Sequence, residues 1–154
     1  MATTSHVYPH AVQLINANSL NLSTVTTGSF HMGLCTGSAA TWGATQQAYQ
    51  FVSSVTAAYT EVTSGGYARQ SLTGITLTQG TDSNVWTCTS PISFGSSITL
   101  SAASAFVYTT LIGSADSSYP VISIIDFGGT VSSSSGPWTY TVDPVNGLAY
   151  WSEV

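Results

Sequence analysis

From Tyr67 onward, apolar and polar residues alternate nearly everywhere, in short runs interrupted by Gly, Ser, Asn, Asp and Pro. The runs are "YARQSLTGITLTQ", "NVWTCTS", "SITLS", "AFVYTTLIG", "PVISIIDFG", "WTYTVD" and "LAYWSEV". A period of two puts successive side chains on opposite faces of an extended backbone, so each run is expected to be a strand. No helix-length crossover separates them, which argues against a parallel α/β sheet. The expected fold is all-β: an antiparallel β-sandwich or jelly-roll-like barrel.

The N-terminal third adds one or two short helices to this expectation. "VYPHAVQLINAN", residues 7–18, has Pro9 at a plausible helix start and Asn18 at a plausible stop. "SFHMGLCTG", residues 29–37, alternates Phe30, Met32 and Leu34 against His31, Gly33 and Cys35, as a strand does. Residues 38–62 read as a loop followed by one or two helical turns carrying Tyr49, Phe51, Val52 and Val55. A chain of 154 residues fits one domain, 1–154, in which residues 1–28 form an N-terminal arm and short helix. Serine-rich "TVSSSSGP", residues 130–137, is expected to be a surface hairpin loop.

Charge is scarce: 5% of residues are Asp, Glu, Lys or Arg, against roughly 25% in an ordinary soluble domain. Serine and threonine supply the polarity instead. Hydroxyls keep a surface wet without the like-charge repulsion that holds crowded copies apart. With one cation, the chain cannot neutralise a row of phosphates, so neither nucleic acid nor an anionic membrane is an expected partner. The opening "MATTSHVYPHAVQLINANS" lacks the basic flank and continuous apolar run of a secretory signal, and no segment approaches the ~20 apolar residues of a membrane helix. Synthesis in a cytoplasm is the expectation, with Cys35 and Cys88 as two buried thiols.

No constellation for catalysis stands out. His6 and His10 are four apart, but Pro9 lies between them and no third ligand follows the spacing of a zinc helix. His31 shares a strand face with Cys35, although productive nucleophile–base pairs usually come from different elements. Asp82, Asp116, Asp126 and Asp143 mostly neighbour turn residues, where a carboxylate accepts local backbone hydrogen bonds. No cofactor, metal or catalytic residue is therefore assigned. Among the aromatics, Trp42 and Trp138 are candidates for an interface or for stacking on a glycan.

Arg69 is the one positive side chain, and it follows a double-glycine turn in "EVTSGGYARQSLTGITL". Gly65 and Gly66 suit positive φ, after which Tyr67 and Arg69 share one face while Ala68 lies on the other. Glu61 is the nearest carboxylate in sequence and can be gripped through two parallel hydrogen bonds. The expected role of the Glu61–Arg69 pair is that of a buried or interfacial fastener.

The segment "TEVTSGGYARQSLTG", the alternating strands after it, and "VISIIDFGGTVSSSSGPWTYTVDPVNGLAYW" resemble small virion structural proteins of tailed bacteriophages. The similarity is to head-decoration, minor capsid or fibre-associated proteins, especially of actinobacterial phages, and spans about Phe30 to Trp151. Glu61, Gly66, Tyr67, Ala68 and Arg69 carry the matching segment. The resemblance implies a β-sandwich or jelly-roll-like subunit without catalytic activity, shown in many copies on a virion. It also implies homo-oligomers, often trimers, with the major capsid protein or other virion subunits as partners. A tail-fibre or carbohydrate-binding module recognising a host surface glycan is the alternative.

Overall fold

A computed structural model describes residues 4–21, 28–63, 65–79, 83–142 and 147–152. Strands dominate, and all pairings between them are antiparallel. The elements run β1 (Thr4–Val7), α1 (Pro9–Asn16), β2 (Phe30–Cys35), α2 (Ala44–Gln47), α3 (Val52–Tyr59), β3 (Gln70–Ser71) and β4 (Ile75–Gln79). They continue with β5 (Ser83–Cys88), β6 (Ile92–Thr109), β7 (Val121–Tyr140) and β8 (Ala149–Ser152). Five strands form one sheet in the order β1-β7-β6-β2-β3, and three form a second in the order β4-β5-β8. No described helix is long and apolar enough to cross a membrane.

The backbone of the fold is the β6–β7 ribbon. Residues 102–109 of β6 and 121–127 of β7 are buried without alternation. Such a run requires cover on both faces, and two apolar clusters supply it. Ala105, Val107, Ile122 and Ile125 face a cluster with Phe30, Met32, Leu34 and Trp86. Phe106, Tyr108, Val121 and Ile124 face the other way, against Tyr8, Val52, Val55 and Tyr59. Phe30 meets Trp86 of the second sheet edge to face at 4.9 Å, so the first cluster is shared by both sheets.

Farther along the ribbon, residues 130–137 have no buried side chain, yet they belong to β7. This corrects the surface-loop expectation for "TVSSSSGP". Val131, Ser132 and Ser133 pair with Ala102, Ser101 and Leu100, and Gly136 pairs with Ile98. Hydroxyl side chains on a solvated stretch leave no hydrophobic alternation to read, while the main-chain ladder persists. Register shifts between Ser93 and Leu100 bulge the ladder, and Ser135 absorbs one irregularity at φ 51°. "SITLS" and "AFVYTTLIG" are accordingly one strand, not two. Conversely, "YARQSLTGITLTQ" breaks at Gly74, φ 64°, and its two pieces join different sheets.

Residues 4–16 are built into the fold and do not project as an arm. β1 pairs with β7, from Thr4↔Asp126 to Val7↔Ser123. Helix α1 opens on Pro9, whose missing N–H costs nothing at a first-turn position. It closes with Asn18 at φ 54°, where Asn18 and Ser19 donate to the Ile15 and Leu14 carbonyls at 2.9 Å each. That pattern satisfies two orphan carbonyls, and asparagine tolerates the left-handed conformation it needs.

Gly33 is required where β2 crosses the buried ribbon. It lies opposite Phe106, and a Cβ there would overlap the Phe106 ring. Gly33→Ala is expected to lower stability by about 1 to 3 kcal/mol through overpacking, read as a reduced midpoint in chemical denaturation with the slope unchanged.

Candidate functional site

The site forms along the edge of β2 that faces away from β6. After α3 the chain returns to this edge, where Cys35 bridges to Glu61 and the Val62 N–H donates to the Leu34 carbonyl at 2.9 Å. Farther along, Ser71 and Gln70 pair with His31 and Met32, and the Leu72 N–H donates to the Phe30 carbonyl at 2.8 Å. Between these contacts the chain loops out through Gly65 and Gly66, at φ 71° and 80°. A Cβ at Gly65 would overlap the Thr99 carbonyl, so the loop lies tight against β6. Ala68 follows, its carbonyl accepting from the Gln70 side chain at 2.8 Å.

Tyr67 turns back from this loop into the gap. Its hydroxyl accepts from the Leu34 N–H at 2.8 Å and donates to Glu61 Oε1 at 3.0 Å. A phenol thus completes the hydrogen bonding of a strand edge that no backbone reaches. Burial, and the carboxylate beside it, raise its pKa well beyond the ordinary phenol range.

Arg69 lies beside it. Nε and Nη2 donate to Glu61 Oε1 and Oε2 at 2.7 and 2.6 Å, the two-point grip expected of this pair. Nη1 and Nη2 also donate to Asp116 Oδ1 and Oδ2, both at 2.7 Å. The guanidinium carbon sits 5.5 Å from the Phe106 ring centre and 5.3 Å from that of Tyr108, within reach of cation–π attraction. Hydrogen bonds to Glu61 first and Asp116 second push the arginine pKa upward, against the opposing effect of burial. The same contact holds Asp116 below its ordinary value.

Asp116 is the residue that sequence reasoning missed. It stands 47 positions from Arg69, in the β6–β7 connection, with turn-forming neighbours that suggest only local duty. The available signal was stoichiometric: six acids and one cation make a shared arginine plausible. Its own carbonyl accepts from the Ser53 N–H at 2.9 Å, docking the connection onto the start of α3. Arg69 therefore joins the end of α3, the double-glycine loop and the β6–β7 connection. Four of its N–H groups are occupied, and the neighbouring carboxylates outnumber it. The cluster can fasten chain segments but offers a poor grip for an anionic ligand.

The remaining candidates are placed elsewhere. Trp138 is 5% exposed and packs on Phe94 and Phe127, so its expected role as a contact aromatic gives way to the core. Trp42 is half-buried and stacks on His6 with ring centres 4.6 Å apart. His10 packs instead against Phe51, so the two histidines diverge. His31 lies on Tyr108 at 5.2 Å, and burial lowers its pKa. Cys35 is fully buried, and loss of hydration pushes its thiol up to about 12, far from a reactive thiolate. Both cysteines are free. Asp126 is buried in β7 and accepts from Ser38 Oγ, the Ala39 N–H and the Gly128 N–H at 2.7, 2.8 and 3.0 Å. Asp82 and Asp143 lie outside the described residues. No group of three or more metal-ligating side chains occurs among the described residues. Comparison with protein-family models, curated proteins and solved structures finds no match for this chain.

Burial orders the expected cost of breaking the cluster. Arg69→Ala strands two carboxylates, of which Glu61 is 18% exposed, and is expected to cost about 2 to 3 kcal/mol. Asp116 is 44% exposed, so Asp116→Asn should cost less than about 1 kcal/mol. Denaturant titration of both variants checks the order. Since the Asp116 pKa is depressed on folding, its contribution is present above the ordinary 3.8 and is lost as pH falls through the folded value. The melting difference between wild type and Asp116→Asn should stay constant from neutrality toward pH 5 and close under strongly acid conditions.

Proposed function

We propose that this chain is a structural protein of a bacteriophage virion, most consistent with a capsid decoration or minor capsid protein that stabilises the shell through subunit contacts. The subunit would be a β-sandwich in the jelly-roll style, assembled as a homo-oligomer, a trimer in the first instance, on the major capsid protein or other virion subunits. The reading is supported above all by the engagement of the one cation in an internal cluster with Glu61 and Asp116. Apart from this cluster, the described surface is mostly hydroxyl and apolar, which suits close packing of copies and gains from area removed from water at roughly 25 cal/mol per Å².

A second reading retains one supporting observation. Trp42, half-buried beside Tyr8 and His6, leaves part of an indole available for stacking on a sugar of a host surface glycan, as in a tail-fibre module. Trp138 no longer contributes to that reading.

Purified particles of the parent phage should contain the protein in many copies, located by electron microscopy on the particle surface. Attachment should survive about 1 M salt, where charge pairs are screened within roughly 3 Å. Absence from purified particles would overturn the virion reading. Glycan-array binding lost in Trp42→Ala, with assembly intact, would favour the second.

A further inference from the structure

The three-stranded sheet ends on one side at β4, which pairs with β5 alone. Among the described strands, none meets its outer edge. Sheet edges are ordinarily kept single by being short, or by charge, proline or a bulge. The edge strand β3 has two residues, and β1 has four, with His6 and Val7 partly covered. β4 reads Ile-Thr-Leu-Thr-Gln, with no charge and no proline, and its register runs unbroken from Ile75↔Cys88 to Gln79↔Asn84.

Leu77 gives this edge a direction. It lies opposite Trp86, and directly opposed residues of an antiparallel pair project from the same face. Trp86 is fully buried against Phe30, so that face is the inner one. Leu77 nevertheless remains 39% exposed, as an inner-face side chain does when its sheet stops one strand short.

We infer that a second copy of this chain supplies the missing strand, β4 pairing antiparallel with its counterpart about a two-fold axis at Leu77. The result is a continuous sheet in the order β8-β5-β4-β4-β5-β8. Charge and sequence symmetry both select a second copy. The strand carries no charge and Arg69 is engaged by Glu61 and Asp116, so a charged peptide finds no counter-ion here, whereas an uncharged strand is not opposed. The strand is also nearly palindromic: the two-fold register sets Leu77 opposite Leu77 and Thr76 opposite Thr78. A symmetric contact uses one self-complementary patch twice. This inference goes beyond the virion reading and does not need it; a three-fold ring would use a different surface.

Analytical ultracentrifugation of the full chain from about 1 to 100 µM should show a two-fold species. Leu77→Lys should weaken it by about tenfold or more, while Leu111→Lys, at a residue 49% exposed in the β6–β7 connection and not on β4, should leave it unchanged. Leu77→Cys should cross-link into a dimer with a short thiol-bridging reagent, because directly opposed Cβ atoms lie about 4.5 to 5.5 Å apart, wider than the roughly 3.5 to 4.5 Å of a direct disulfide. Thr76→Cys, which faces residue 78 of the other copy, should not. A monomer throughout this range, or an oligomer indifferent to Leu77→Lys and without the Leu77→Cys cross-link, overturns the inference. If Leu77→Lys fails to fold, the cross-link decides. A β4-linked dimer missing from virions sinks only the virion reading, and a virion protein lacking the cross-link sinks only this one.

Discussion

The inner halves of β6 and β7 are covered on both faces, and the other elements are arranged to provide that cover. A strand pair that is apolar on both sides cannot be served by one opposing sheet. Here the three-stranded sheet packs on one side, with Trp86 reaching Phe30. Helix α3 and Tyr8 pack on the other. The N-terminal strand extends the same sheet through β7, and β2 extends it through β6. Gly33 marks how tightly the layers meet, since its lack of a side chain makes room for the Phe106 ring.

The second layer must also be held at its margin, and Arg69 acts there. It lies over Phe106 and Tyr108 on the face that α3 covers, and bonds to carboxylates from two segments that border the helix. A partly buried guanidinium is expensive to desolvate, and a pair of carboxylates is expensive to hold together. Each removes the other's difficulty. The result fixes where α3 ends and where the β6–β7 connection lies, with Tyr67 supplying the hydrogen bond that the β2 edge lacks. Cation, anions and phenol form one unit, so their effects on stability should not add independently.

This internal use of charge bears on how the outside of the protein behaves. The described surface beyond the cluster offers mostly hydroxyls, backbone edges and scattered apolar groups, with no second cation in the sequence to attract an anionic neighbour. Contacts made by such a surface depend on shape, area and strand pairing, and vary little with ionic strength. The proposed place on a viral shell and the inferred β4 pairing both draw on this property.

Alternation, turn residues and Pro9 with Asn18 made the all-β class, the helix α1 and strand β2 legible from sequence, because these features depend on local periodicity and backbone preference. The Glu61–Arg69 contact was legible too, being eight residues apart across a glycine turn. Residues 130–137 were not, because a solvated strand of serines has no apolar face to betray its period; only the β6 ladder identifies it. Asp116 and Trp138 were equally hidden, one joined to the site and the other withdrawn into the core by long-range chain reversal. The sequence alone determined most of the segments that extend, and that one cation faces six carboxylates. Tertiary structure decided which carboxylates share it, which aromatics are covered and which edge stays open, since each depends on strand order and register that no local pattern encodes.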